Sequence, residues 1–269
     1  FSKVHLCIGC RQSVNCNEII RQLSKNVVKK MKYFKIILPC FLFWSLISDV
    51  TGQTLVGMKG GVSWFSLWGD EHSDEGNGFT NYTSYPSYCF TFEIKGRKPK
   101  AFHLGASAKY AKNLFNVHAT TGHHFQDGKN IKYELDCIYL AMFPEFLIGK
   151  KIQFYCNIGP YIGIMINSEK NGTSYTSTYY PVVYTYKTES GSANGDLKEV
   201  DFGFQQSIGI SYKFNSWLGL TLEENGSLGV ININKKSTPA TRSKSLCLQL
   251  GVLFQLQTDS KKSIKNQNE

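Results

Sequence analysis

Residues 245–254 read Ser-Leu-Cys-Leu-Gln-Leu-Gly-Val-Leu-Phe, and large apolar side chains stand at every second position. Such alternation indicates a β-strand with one apolar and one polar or small face, because successive side chains of a strand point to opposite sides. The same period recurs, without an intervening helical period, in segments 56–64, 88–95, 102–110, 131–137, 152–164, 200–210 and 218–223. The chain is therefore predicted to be all-β with an even number of strands.

The connections between these segments alternate in length. Short ones fall at 97–100, 149–151 and 214–216, and long ones at 69–83, 120–130, 167–198 and 234–242. Aromatic residues gather near segment ends, as in the interfacial girdles of membrane barrels, at Trp64, Trp68, Tyr85, Tyr212 and Trp217. Strands of about ten residues cross the hydrocarbon when tilted by about 45°. We predict an eight-stranded antiparallel up-and-down transmembrane β-barrel with short periplasmic turns and long extracellular loops.

A soluble periplasmic ligand-binding β-barrel is the alternative explanation of the same period. In that class the apolar face would point inward and the charged face outward. Here the apolar face is crowded with large Leu, Ile and Phe side chains, whereas the opposite face is rich in glycine and carries few charges. The membrane barrel is favoured on this ground.

The first 52 residues are not expected to be part of the fold. Met31 is followed by Lys32 and Lys35 and by an apolar run from Ile36 to Ile47, which is the outline of a secretory signal peptide. Cleavage is expected before Gln53. We expect residues 1–30 to be an upstream or mis-started segment, 31–52 the signal peptide, 53–257 the barrel and 258–269 a polar C-terminal tail.

The charge distribution weakens any nucleic-acid interpretation. The net charge of the whole sequence is +10, but residues 1–30 carry +5 and residues 31–52 carry +1, which leaves +4 on residues 53–269. Strong basicity is the usual footprint of nucleic-acid binding. The expected partner is instead the lipid bilayer of the outer membrane.

Charged residues on the face opposite the apolar one are assigned to the lumen. They are Lys59, Glu93, Lys95, Lys109, Lys132, Glu134, Asp136, Asp201 and Glu223. We interpret them as a structural network of paired charges, because an isolated buried ion is costly to desolvate. A proton or ion path, or a catalytic carboxylate pair, is the functional alternative.

No sequence motif predicts a catalytic, cofactor or metal site. The chain is therefore expected to be a non-enzymatic envelope structural or interaction protein that acts through its external loops. An outer-membrane lipid-modifying enzyme with a Ser/His site near the rim is the competing functional class.

The third long loop has the most distinctive composition. It is rich in tyrosine, threonine and serine, which fits either a continuation of the hairpin above the membrane or a surface that binds an envelope protein or an extracellular ligand. The candidate contact residues are Tyr175, Tyr179, Tyr180, Tyr184 and Tyr186.

Several short motifs resemble a known family. They are Tyr139-Leu140-Ala141-Met142-Phe143-Pro144-Glu145-Phe146, the turn Gly149-Lys150-Lys151, the run from Phe154 to Gly163, Gly57-x-Lys59-Gly60-Gly61 and Asp201-Phe202-Gly203. Together they are similar to the outer-membrane protein β-barrel domain family of PorT-like proteins. The resemblance implies a Gram-negative outer-membrane location and a barrel, and it carries no shared catalytic residues.

Overall fold

The structure, a computed structural model, describes residues 53–69, 79–97, 102–121, 127–178, 183–235 and 240–256. The segments expected at 1–30, 31–52 and 258–269 lie outside the described residues. Among the residues described, no helix is long and apolar enough to cross a membrane.

Nine β-strands follow one another along the described chain, with a single 3-10 turn of helix, Ala193–Gly195, after the sixth. The strands are β1 Gln53–Gly69, β2 Phe79–Arg97, β3 Phe102–Thr121, β4 Asp127–Gly149, β5 Ile152–Thr178, β6 Val183–Ser192, β7 Val200–Lys213, β8 Leu218–Gly229 and β9 Thr241–Leu256.

Eight of the strands close into a ring by antiparallel pairing, in the order β1, β2, β3, β4, β5, β7, β8, β9 and back to β1. The predicted eight-stranded barrel is thus confirmed. Closure gives every ring strand a paired neighbour on both sides, and such pairing supplies the backbone hydrogen bonds that a lipid environment demands.

The strand β6 stands apart from the ring. The lower part of β5, from Ile152 to Ile164, pairs with β7, whereas its upper part, from Glu169 to Thr178, pairs with β6. The β5–β6 hairpin is therefore an extension of the barrel wall on the long-loop side. Several ring strands are also longer than the predicted ten residues, because they continue beyond the membrane on this side.

The two faces of the wall differ as the sequence pattern requires. Outward-facing side chains such as Phe90, Phe154, Ile208 and Leu250 are 58 to 64% exposed, whereas inward positions are mostly buried. Large apolar side chains on the outside suit contact with lipid, and this distribution is the opposite of that in a soluble barrel. The interior is filled with side chains from all eight ring strands.

Candidate functional site

The lower lumen, near the short turns, holds a buried cluster of charged side chains. Lys59 lies on β1, Glu93 and Lys95 on β2, Glu145 on β4 and Glu223 on β8, and none is more than 4% exposed. Lys59 Nζ lies 2.8 Å from Glu93 Oε2 and also pairs with Glu223. Lys95 Nζ lies 3.1 Å from Glu93 Oε1 and 2.5 Å from Glu145 Oε2. Glu93 therefore links the two lysines into one network.

The aromatic side chain of Tyr155, on β5, packs against this network. The Tyr155 ring centroid lies 4.7 Å from Lys95 Nζ, and the Tyr155 hydroxyl donates to Glu223 Oε2 at 2.8 Å. The ring lies directly over Gly209 of β7, where a Cβ atom would approach the Tyr155 Cζ atom to 2.4 Å. Glycine is needed at this position because of that close approach.

The network ends at a histidine beside the fourth strand. Glu145 Oε1 lies 3.5 Å from His103 Nδ1, and both side chains are almost completely buried. Glu145 is a lumen residue that the sequence assignment missed. Its signal was present, because Glu145 is the one charged residue in the run 139–147 and occupies the position between the outward-facing Pro144 and Phe146.

Above the ion cluster, side chains in the lumen are joined by hydrogen bonds rather than by ion pairs. Lys109 Nζ donates to Asn225 Oδ1 at 2.7 Å, and Asn225 Nδ2 donates to Ser207 Oγ at 2.8 Å. Higher still, the Tyr161 hydroxyl donates to Asp201 Oδ2 at 2.7 Å. Lys109 and Asp201 thus lie on the lumen side, but the structure does not bring Asp201 into contact with the lower ion pairs.

The assignment of Lys132, Glu134 and Asp136 to the lumen is wrong. These residues lie on the outer face of β4, where the Lys132 and Glu134 side chains are 50% and 36% exposed. Lys132 Nζ and Lys112 Nζ contact Glu134 on this surface, at 3.0 and 3.1 Å. The strand is oriented this way because its alternate, apolar residues fill the upper lumen. The outward-facing polar residues of β4 therefore mark the upper limit of the lipid-facing belt.

The upper lumen is an apolar plug rather than a polar one. Its buried members include Phe65, Leu67, Phe115, Ile131, Tyr133, Leu135, Cys137, Tyr139 and Tyr161. Phe115 and Tyr133 stack with ring centroids 5.1 Å apart. Voids between the lumen side chains measure about 10 and 30 Å³, which is the scale of a single water molecule.

Two segments on the long-loop side cover this plug. Ala193 and Leu197 before β7, and Ile233 after β8, are buried against it. A backbone hydrogen bond joins the two segments, from Lys198 N to Ile233 O at 2.7 Å. A second one attaches the later segment to β9, since Ile233 N donates to Thr241 O at 2.8 Å. We call residues 193–198 and 231–235 the cap.

A cavity of about 220 Å³ opens beside the cap at the outer mouth of the barrel. Its floor is apolar and includes Phe115, Ile131 and Tyr133. Its upper wall carries an ion pair in which Lys170 Nζ lies 2.7 Å from Asp196 Oδ2. The Tyr133 hydroxyl donates to the same carboxylate oxygen at 3.3 Å. The mouth is thus lined by an apolar floor and a polar rim.

The β5–β6 hairpin carries a cluster of tyrosines on one face. Tyr175 pairs with Tyr186, and Ser177 pairs with Tyr184, so the tyrosines share a side. The Tyr175 ring centroid lies 6.0 Å from that of Tyr186 and 6.3 Å from that of Tyr184. We call Tyr175, Tyr184 and Tyr186 the tyrosine surface. The other two candidates, Tyr179 and Tyr180, lie outside the described residues.

The opposite face of the hairpin turns toward the mouth of the barrel. Ser174 and Glu189 line the cavity there, and Ser174 Oγ donates to Glu189 Oε1 at 3.2 Å. The hydrogen bond from Lys187, together with its positive charge, holds the pKa of Glu189 below its ordinary value. The tyrosine surface therefore points away from the mouth.

The model of the outer membrane protein β-barrel domain family matches residues 51–235. The chain belongs to this family. It is accordingly an outer-membrane protein inserted in the outer-membrane lipid bilayer, and the family expectation drawn from its motifs is confirmed. The narrower PorT-like designation stays a prediction.

Solved structures to which the chain is similar include outer-membrane barrels. Neisserial surface protein A is 10% identical with a TM-score of 0.41, and the match covers 76% of this chain and 99% of that one. Ail, the attachment invasion locus protein of Yersinia pestis, is 10% identical with a TM-score of 0.36 over 76% of this chain and 100% of that one. The N-terminal β-barrel domain of Pseudomonas aeruginosa OprF is 11% identical with a TM-score of 0.33 over 76% and 99%. No curated protein matches the sequence.

Proposed function

We propose that this outer-membrane protein is a non-enzymatic interaction protein of the cell envelope, and that it contacts an envelope protein or an extracellular ligand through the tyrosine surface. The observation that carries the proposal is the exposure of tyrosine side chains on the outer hairpin. Tyr184 and Tyr186 are 47% and 71% exposed. Clustered tyrosines are typical of binding surfaces, because they offer a large apolar area with a polar tip at a low entropic cost.

The filled interior supports an interaction role over a transport role. Ion pairs occupy the lower lumen, aromatic side chains occupy the upper lumen, and the cap covers the top. We infer that the lower network is structural, since its lysines and carboxylates are already paired with one another. The purified protein in planar bilayers is expected to give no stable single-channel conductance. A reproducible open level would favour a solute path instead.

Photo-cross-linking in intact cells tests the contact itself. A photoreactive phenylalanine analogue in place of Tyr186 is expected to give one discrete adduct. The same analogue in place of Thr185 is the matched control, because Thr185 is exposed on the adjacent position of β6 and faces the other side of the hairpin. Equal adducts from both positions, or none from Tyr186, would count against a specific tyrosine contact.

A further inference from the structure

The lipid-facing wall of the barrel contains two neighbouring polar side chains on β7 and β8. Outward positions on β7 run Phe202, Phe204, Gln206, Ile208 and Ile210, and those on β8 run Leu220, Leu222, Glu224, Gly226 and Leu228. Gln206 and Glu224 thus have apolar residues on either side along their own strands. Both are exposed, and both lie in the middle of the belt rather than at its rim.

These two side chains lie close together and are not satisfied by the barrel. Gln206 pairs across the strands with Gly226, and Glu224 pairs with Ile208, so Gln206 and Glu224 are diagonal neighbours on one face. Gln206 Nε2 lies 3.8 Å from the place where a Cβ of Gly226 would stand. Within the described residues, neither side chain has a hydrogen-bond or ion-pair partner.

A carboxyl and an amide facing hydrocarbon are unfavourable unless another molecule supplies their hydrogen bonds. The pair contains one strong acceptor and one donor, and it is therefore complementary to itself. A two-fold axis along the membrane normal would place the Gln206 amide of one copy against the Glu224 carboxyl of the other, and the reverse contact would form by symmetry.

The surroundings of the pair suit such a contact. Gly226 lacks a side chain, and beside it a recess of about 570 Å³ is lined by Phe204, Leu228 and Leu246 among other residues. Small residues let two walls approach closely in a membrane, and a recess can receive apolar side chains. We propose that the β7–β8 wall is a homodimer interface within the bilayer, occupied by a second copy of this chain and held by reciprocal Gln206–Glu224 hydrogen bonds.

Sedimentation equilibrium of the whole barrel in density-matched micelles tests the proposal. The wild type is expected to be dimeric. Gln206→Glu is expected to weaken association about ten-fold or more, because it sets two carboxyl groups against each other twice. The exchange Gln206→Glu with Glu224→Gln is expected to restore the dimer, since donor and acceptor are again opposite. Retention of the heat-resistant folded band on gels shows that each variant is still a barrel.

A monomeric wild type overturns the proposal, as does a dimer that Gln206→Glu leaves unchanged, or a dimer that the exchange fails to restore. Glu134→Gln is the matched control, because Glu134 is an outward-facing acid above the belt, and it should leave association unaltered.

Cysteine cross-linking in native membranes provides the second measurement. Gly226→Cys is expected to form a covalent dimer with a short bifunctional maleimide, whereas Ala108→Cys, on the outer face of β3 across the ring, is not. Both variants carry Cys156→Ser, because Cys156 is exposed while Cys89, Cys137 and Cys247 are buried. Failure at Gly226→Cys, equal dimer at both positions, or a cross-link only to a different protein would each overturn the proposal.

Discussion

Replacement of Lys95 by methionine should destabilise the barrel strongly. The lysine is 2% exposed and lies between Glu93 and Glu145. Methionine has a similar length but no charge. Among the described residues, Glu145 would then keep only His103 as an ion-pair contact, and Glu93 would keep only Lys59. Removal of one partner from a buried ion pair costs about 3–5 kcal/mol, because the remaining charge stays desolvated. We expect Lys95→Met to lower the free energy of unfolding by this amount.

The assay is reversible urea unfolding of the barrel in lipid vesicles, followed by tryptophan fluorescence and extrapolated linearly. Lys132→Met is the matched control, because Lys132 also contacts a glutamate but its side chain is 50% exposed. Exposed pairs contribute about 0–1 kcal/mol. A loss below about 1 kcal/mol for Lys95→Met would refute the interpretation of the lower lumen as a tightly coupled charge network, since a lysine that had remained solvated would respond like the control.

Three further outcomes are expected. Gly209→Ala should lower the free energy of unfolding by about 1–3 kcal/mol in the same assay, because the new methyl group would displace the Tyr155 ring from the ion network. Leu197→Ala should speed amide hydrogen exchange in the cap, since Leu197 is only 7% exposed and packs on the apolar plug. Glu189 should titrate below its ordinary pKa of 4.5 in carbon-13 NMR spectra, and Lys187→Ala should raise that pKa. Because the folded-state pKa is lowered, the stabilising contact is present above the ordinary value and is lost as the pH falls through the folded-state pKa.

Each of these expectations has its own contrary result. A Cβ at Gly96 would meet only the Leu104 backbone oxygen, at 3.9 Å, so Gly96→Ala should be nearly neutral. Equal losses from Gly96→Ala and Gly209→Ala would therefore contradict the role of ring contact. Unchanged exchange at Lys198 N in Leu197→Ala would show that the cap is held by its backbone hydrogen bonds alone. A Glu189 titration that does not respond to Lys187→Ala would remove the lysine as the cause of the shift.

The barrel itself could be predicted because two independent periodicities agreed. The alternation of apolar and polar residues along each strand distinguishes the two faces of the barrel wall. The alternation of short and long connections distinguishes the two sides of the membrane. The extension of the wall by the β5–β6 hairpin could also be predicted, because the β-branched and aromatic residues between 174 and 188 favour strands. The inward placement of Lys59, Glu93, Lys95 and Glu223 follows from the same alternation.

The orientation of upper β4 could not be predicted in the same way. The rule that apolar residues face lipid fails where the strand leaves the bilayer, since Ile131 and Leu135 then gain more by packing in the plug than by facing water. The contact between Glu145 and Lys95 could not be predicted either, because it joins β2 to β4 across the lumen. Such a contact depends on the shear of the barrel and the tilt of its strands, which a single sequence does not reveal.

A closed ring leaves no free strand edge, but the hairpin reintroduces one. Among the described strands, β6 pairs on one side only, with β5. Such an edge is a template on which further strands can assemble, and natural proteins protect it with charged side chains. Lys187 and Glu189 stand on β6 as oppositely charged neighbours 3.3 Å apart, and another chain that added to this edge would have to dehydrate both. These charges therefore disfavour the addition of further strands to β6. The proposed self-association takes place instead through the β7–β8 wall inside the membrane.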